Sequence, residues 1–231
     1  MKKFLLVLMV SLGAAHAQTE EVVKSAYGAG QGVNGEVLAL AVQSDGKVII
    51  GGRFSAVNGV PRNNIARLNP DGTLDRSFAE KVENGVNGQV NALAVQPAGG
   101  VIVGGQFTQV GNVEALNLGR YNADGTPDKN FGNLPGQEPG ANGIVYALAV
   151  QADGKIVVGG NFSTVFGPPR RGVARLNTDN TLDGPLVSQA GILGPVRALV
   201  ATPDDSFVAG GVFTVQNQEA KSLFKAPVPA K

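Results

Sequence analysis

Aspartates recur at regular spacing in short polar turns, and their carboxylates are the groups of this sequence best suited to chemistry. Asn69, Asp71 and Asp75 surround the bend at Gly72, and the arrangement returns twice. Calcium takes six to eight oxygen ligands, so it is the ion that such turns could hold. We favour the alternative that each aspartate caps its own turn, because the turns lack a bidentate glutamate and are too short to encircle an ion. The candidate ligands under the calcium interpretation are Asp71, Asp75, Asp124, Asp128, Asp179 and Asp183.

Cations recur in the same way along the chain. One position of each repeat holds Arg67, Arg120, Arg175 or Lys225. These cations could form a ring that captures an anion. We favour instead their pairing with Asp75, Asp128 and Asp183 of the adjacent strand, as cross-strand charge pairs do. Three further arginines lie in connecting loops and are the candidate partner-binding residues: Arg62, Arg170 and Arg171.

The first seventeen residues have the composition of a secretory signal peptide. Lys2 and Lys3 precede an apolar run over residues 4–14, and the Ala-His-Ala sequence ending at Ala17 matches an A-x-A cleavage site. The run is shorter than the ~20 residues that a membrane span needs, so cleavage near Ala17 is favoured over a membrane anchor. The expected location is therefore secreted, either periplasmic or at the cell surface, with no membrane span.

Removal of this leader leaves a chain without histidine, cysteine, methionine or tryptophan, because His16, Met1 and Met9 are the only residues of these types. Ordinary zinc and haem sites then lack ligands, and Ser-His-Asp or Cys-His catalysis is excluded. The formal charge falls from +1 to −1 with the loss of Lys2 and Lys3, which gives no basic face for nucleic acid. We expect no enzymatic activity and no cofactor, although a hydrolase that uses two carboxylates stays open.

Four copies of one pattern organise the rest of the chain. Each copy has an apolar run, a turn, a second apolar run ending in Gly-Gly, and a phenylalanine. The copies span residues 37–54, 90–107, 145–162 and 196–213. The second glycine of the pair falls at positions 52, 105, 160 and 211, so the spacings are 53, 55 and 51 residues. Such regular self-similarity is typical of a repeat architecture.

The runs have the length and composition of β-strands. They are short, rich in Val, Ile, Leu and Ala, and bounded by Asp-Gly, Asn-Gly or Pro turns. A third apolar run follows in all four copies, and a short fourth run is seen at residues 74–78 and 127–131. Four short antiparallel strands per ~50-residue repeat are typical of a propeller blade. The sequence therefore predicts an all-β fold, a β-propeller of about four blades with four antiparallel strands each.

The predicted domain organisation follows from these repeats. The signal peptide covers residues 1–17 and the propeller covers 18–231, with repeats near 35–80, 88–132, 143–187 and 194–226. The fourth repeat lacks a fourth run. The segment Ser25-Ala26-Tyr27 parallels Ser77-Phe78, so we expect residues 20–30 to complete the last blade and close the ring.

The repeat resembles a known family. The sequence from Ala39 to Phe78, with its ALAVQxDGK, GGxF, IARLN and DGxLDxxF elements, is similar to the delta-60 β-propeller repeat. That repeat occurs in secreted or surface bacterial proteins. The resemblance covers repeats one to three and the first half of repeat four. It implies a scaffold or binding module and brings no general activity.

These observations favour a non-enzymatic propeller that binds an envelope protein or a glycan through its loops. Two alternatives stay open: a carboxylate-dependent glycan hydrolase assisted by calcium, and a passive structural ring that assembles as a homo-oligomer. All three rest on the fold, which alone is a weak guide to function.

Overall fold

The computed structural model describes residues 32–80, 83, 85–132, 138–184, 192–215 and 221–225. The expected signal peptide and the strand expected at residues 20–30 lie outside this part of the chain, so both stay predictions. No helix in the described ranges is long and apolar enough to cross a membrane.

Seventeen short strands make up the described secondary structure. In chain order they are β1 (Glu36–Val42), β2 (Val48–Arg53), β3 (Ala56–Val57), β4 (Val60–Pro61), β5 (Ile65–Leu68), β6 (Gln89–Val95), β7 (Val101–Gln106), β8 (Gln109–Val110), β9 (Val113–Glu114), β10 (Leu118–Tyr121), β11 (Ile144–Val150), β12 (Ile156–Asn161), β13 (Val173–Leu176), β14 (Ile192–Leu193), β15 (Val196–Ala201), β16 (Phe207–Val215) and β17 (Lys221–Lys225).

Four antiparallel sheets recur along the chain, and we call them blades. Blade 1 contains β1, β2 and β5, blade 2 contains β6, β7 and β10, and blade 3 contains β11, β12 and β13. Blade 4 contains β15, β16 and β17, with β14 also paired to β16. The first strands of successive blades contact one another, β1 with β6, β6 with β11 and β11 with β15. The predicted all-β propeller architecture is confirmed.

The fourth run of each repeat is reduced to a single bridge in blades 1 to 3. In blade 1 the bridge joins Leu68 and Leu74. The backbone N–H of Asp75 still donates to the Arg67 carbonyl at 2.8 Å, but the Asp75 carboxylate then accepts the Ser77 N–H at 2.9 Å. This local turn diverts the chain before a longer ladder forms.

The Gly-Gly pair has two packing functions. A Cβ on Gly104 would lie 2.4 Å from Val145 Cγ1 of the next blade, and Gly51 has the same relation to Val90. A Cβ on Gly105 would lie 2.0 Å from the carbonyl oxygen of Gln89 on the neighbouring strand. The first glycine therefore allows close approach of blades, and the second allows close approach of strands.

The two faces of a blade have different neighbours. The front face packs on the preceding blade in blades 2 to 4, and the back face packs on the following blade in blades 1 to 3. At the joint between blades 1 and 2, Ile49 and Ile65 of the back face meet Val90 and Val103 of the front face, all fully buried. A bulge recurs in the first strand of every blade, for example between Val90 and Ala92, and it places Val90 and Leu93 on the same face. The hydrophobic core therefore consists of separate layers between blades.

Candidate functional site

One set of aspartates caps its own turns. The Oδ1 atom of Asp71 accepts hydrogen bonds from the Thr73 N–H at 2.9 Å and the Thr73 hydroxyl at 2.7 Å. These two bonds, the hydroxyl first, hold the pKa of Asp71 below its usual range. Asp124 with Thr126 and Asp179 with Thr181 repeat the geometry. This is the capping role that the sequence analysis favoured.

A second set of aspartates pairs with the recurring arginines, which confirms that prediction. The Arg–Asp distances are 2.8 Å for Arg67–Asp75, 2.6 Å for Arg120–Asp128 and 2.6 Å for Arg175–Asp183. Lys225 instead lies 3.3 Å from Asp204. Burial opposes ionisation of Asp75, but hydrogen bonds from Ser77 and Lys47 and the charge of Arg67 keep its pKa well below the usual range.

The geometry gives no support to the calcium interpretation. Within the described ranges, no cluster of three or more His, Cys, Asp or Glu side chains could hold a metal ion. Three of the six candidate aspartates cap turns and the other three form ion pairs with arginines. Each carboxylate is therefore already bound by residues of its own repeat. The absence of a cofactor stays a prediction.

The three loop arginines differ in accessibility. Arg62 is only 4% exposed: its backbone N–H donates to the Ser55 carbonyl at 2.9 Å, and its Nη1 donates to the Pro61 carbonyl at 2.8 Å. Burial lowers the pKa of Arg62, and the nearby Arg76 lowers it further. The Nη1 of Arg170 likewise donates to the carbonyl of the preceding residue, Pro169, at 2.7 Å. Arg171 is exposed. Of the three, Arg171 is therefore the residue best placed to meet a partner.

A depression of about 450 Å³ lies where the first strands of three blades end. Val42, Val95 and Val150 give it an apolar floor, and the β1–β2 and β6–β7 hairpin turns form part of its wall. Two cations of the wall, Lys47 and Arg67, are both bound to Asp75. Asp45 also lines the depression, so the charges of Lys47 and Arg67 are balanced by Asp75 and Asp45 together. The lining therefore combines apolar surface with hydrogen-bonding groups and has no formal charge in excess.

A glutamine recurs at the end of the first strand of blades 1 to 3. Gln43, Gln96 and Gln151 are each less than one-tenth exposed, and Gln43 and Gln96 line the depression. The Gln96 amide donates to Asn180 Oδ1 at 2.9 Å, which ties blade 2 to the loop of blade 3. The Oε1 atoms of all three glutamines are buried without a hydrogen-bond partner. An unpaired buried acceptor costs about 1–3 kcal/mol, and a donor placed beside it would recover that energy.

Reasoning from sequence missed these glutamines. The signal was present, because a glutamine follows each ALAV run of the first three repeats, at a place where a strand is about to enter an exposed turn. If this position were simply exposed to solvent, any polar residue would serve there. Recurrence of glutamine in three repeats instead indicates that its side chain makes a defined contact.

Comparison with known proteins supports the repeat organisation. The model of the family described as "domain of unknown function (DUF5122) beta-propeller" matches residues 43–78, 96–131 and 151–184. Each match begins at one of the three recurring glutamines. No curated protein matches the sequence.

Among solved structures, a gluconolactonase of Xanthomonas campestris has a TM-score of 0.48 at 16% identity, over 87% of this chain and 60% of that one. A second structure is the extracellular domain of a B. thetaiotaomicron protein described as a "putative hybrid two component system". Its TM-score is 0.47 at 14% identity, and the match covers 79% of this chain and 21% of that one. Virginiamycin B lyase of Staphylococcus aureus has a TM-score of 0.37 at 14% identity, and the match covers 86% of this chain and 73% of that one. The chain thus spans less than two thirds of the first two proteins.

None of these structural similarities assigns an activity to the chain. The fold rests on the four recurring sheets, their front-to-back packing and the matching repeats. These findings identify the chain as a β-propeller repeat protein.

Proposed function

We propose that the mature chain is a secreted, non-enzymatic propeller of the delta-60 repeat type that binds a neutral glycan in the depression between blades 1, 2 and 3. The observation that carries the proposal is that Gln43 and Gln96 line this depression and that the Oε1 atoms of both are buried without a hydrogen-bond partner. An envelope protein that contacts the loops is the alternative partner.

The chemistry of the lining favours an uncharged ligand that is rich in hydroxyl groups. When a glutamine side chain turns towards the depression, a sugar hydroxyl can donate to its Oε1, and the apolar face of the sugar ring can lie on the valines. An anion gains little here, because the two carboxylates of Asp75 and Asp45 together balance the positive charges of Lys47 and Arg67. Their engagement in ion pairs also leaves the wall without a free acid and base pair for hydrolysis.

The first experiment is a binding screen of the chain lacking residues 1–17. The protein is exposed to a glycan panel and to envelope material, with and without calcium, and each hit is titrated by calorimetry. We expect a neutral glycan among the hits, and binding that does not depend on calcium. Failure to bind any panel member or envelope fraction would overturn the proposal.

The second experiment locates the site. Gln43→Ala and Gln96→Ala should each weaken glycan binding about tenfold, since a lost hydrogen bond is worth about 1 kcal/mol or more. Gln106→Ala is the matched control, because Gln106 is an exposed glutamine on β7. Thermal melts establish that the variants fold. Unchanged dissociation constants for both site variants would place the ligand elsewhere.

A further inference from the structure

The front face of blade 1 is open to solvent along its first strand, β1, whereas Ile50 and Ala66 on the same face are buried by other residues of blade 1. Leu40 is 37% exposed and Val42 is 58% exposed. Val37 is half-buried, whereas its counterparts in the other blades, Val90, Val145 and Val196, are fully buried. The difference arises because blades 2, 3 and 4 each receive a preceding blade, and no described residue covers blade 1 in that way.

The back face of blade 4 is also exposed to solvent. Leu223 is 65% exposed, although it pairs with Gly210 as Ile65 pairs with Gly51. Its three counterparts are at most 1% exposed: Ile65, Leu118 and Val173. Val200 lies on the same face, on β15 at the other side of β16, and is 55% exposed. Exposed apolar side chains grouped in this way are typical of an interaction surface.

The two open faces are the two halves of one joint. Inside the chain, a valine of each front face inserts against a glycine of the preceding back face, as Val145 does against Gly104. Val37 occupies the valine position in blade 1. Gly210 occupies the glycine position in blade 4, since it pairs with Ala198 as Gly51 pairs with Ala39. Among the described residues, Val37 of blade 1 thus has no glycine against which it inserts, and Gly210 of blade 4 has no valine inserted against it.

Charge also matches across the two faces. At the joint between blades 2 and 3, the Asn91 amide donates to the Val145 carbonyl at 3.0 Å, next to Ile144. The counterpart of Asn91 in blade 4 is Arg197, and the counterpart of Ile144 in blade 1 is Glu36. Both charged side chains are exposed. A joint of the same geometry between blade 4 and blade 1 therefore brings an arginine beside a glutamate.

We propose that a second copy of this chain covers both faces, in place of the closure of one chain on itself, so that two copies joined at both ends form a closed ring of eight blades. Seven residues at about 3.3 Å and three strands about 4.8 Å apart give each face a footprint of roughly 330 Å². One such joint is small against the ~800 Å² per partner of a stable interface, whereas two joints approach it. Because the contact is head-to-tail, closure at both ends is what limits assembly to a dimer.

Sedimentation equilibrium of the chain lacking residues 1–17 tests this proposal directly. We expect a dimer in reversible equilibrium with monomer. Leu223→Lys should raise the dissociation constant at least tenfold, and Gly210→Val should do the same by blocking the insertion of Val37. Gln109→Lys, an exposed substitution on the β8–β9 hairpin, is the matched control and should leave the dimer intact. Melting curves show whether each variant is folded.

A charge exchange identifies the partner surface. Arg197→Glu and Glu36→Arg should each weaken the dimer, and the double variant should restore it. A chain that stays monomeric at all concentrations overturns the proposal, and so does a polymer larger than a dimer. A dimer that is indifferent to the Leu223 and Gly210 substitutions would also overturn it, because its interface would lie elsewhere.

Discussion

The Nε atom of Arg67 lies 2.8 Å from Oδ2 of Asp75, and the Lys47 Nζ lies 2.9 Å from the same oxygen. One carboxylate therefore connects the residue before β2, the third strand β5 and the fourth run of the repeat. Blade 3 repeats the arrangement with Arg175 and Lys155 on Asp183. In blades 1 and 3, one aspartate thus links three segments of the same blade through ion pairs.

The first prediction concerns acid. The pKa of Asp75 is lower in the folded protein than in the unfolded chain, where it is near 3.9. The unfolded chain therefore binds more protons below about pH 4, and stability falls as the pH decreases through that value towards the folded pKa. Denaturant unfolding curves at several pH values between 7 and 2 should show this loss.

Asp75→Asn tests the origin of the acid sensitivity. The variant should lose roughly 3 kcal/mol at neutral pH, because Arg67 is left buried without its charge partner, and its stability should depend less on pH. Glu114→Gln, an exposed change on β9, is the control. Parallel pH profiles for the Asp75 variant and the parent would contradict the assignment.

The second prediction concerns the glycine between blades. Gly104→Ala should destabilise the protein by about 1–3 kcal/mol, because the new methyl group would lie 2.4 Å from Val145 Cγ1. Adding Val145→Ala should recover part of the loss, and a double-mutant cycle measures the coupling. Gly184→Ala is the control, since nothing lies within 4 Å of its added Cβ. Equal effects of the two alanines would refute close blade packing at Gly104.

The repeats made the fold predictable from the sequence, whereas the site was not. Alternation of apolar residues and turn signals is a local property, so β2, β7 and β12 could be placed from their residues alone. Which groups pair across a blade also followed from register, as for Arg67 and Asp75. The burial of Arg62 depends on how its loop folds against Ser55 and Pro61, and the surroundings of Gln96 depend on the loop of blade 3 that contains Asn180. No local pattern encodes that contact.

The third prediction concerns the aromatic joint between blades 1 and 2. The rings of Phe78 and Tyr121 lie 5.0 Å apart at their centroids, and both side chains are fully buried. Phe78→Ala should cost about 3–5 kcal/mol, measured by denaturant unfolding, and Phe78→Leu should cost much less. If the two variants lose equal stability, the volume of the ring is not what holds these blades together.

The last prediction concerns Tyr27, which lies outside the described residues. The segment Ser25-Ala26-Tyr27 parallels Ser77-Phe78, and Phe78 inserts beside Tyr121 and Gly125 of the next blade. The corresponding place on blade 1 is a small apolar hollow lined by residues that include Val37, Ile50, Leu68 and Gly72. We therefore expect the Tyr27 side chain to fill this hollow, as the sequence repeat predicts.

Tyr27→Ala should then lower the free energy of unfolding by about 1.5–3 kcal/mol, the value of burying one large apolar side chain. Tyr27→Phe keeps the ring and should melt like the parent. Deletion of residues 18–31 removes the whole segment and should destabilise the protein further, since the expected strand pairing is lost with it. If the deletion leaves the melting temperature unchanged, the N-terminal segment takes no part in the propeller.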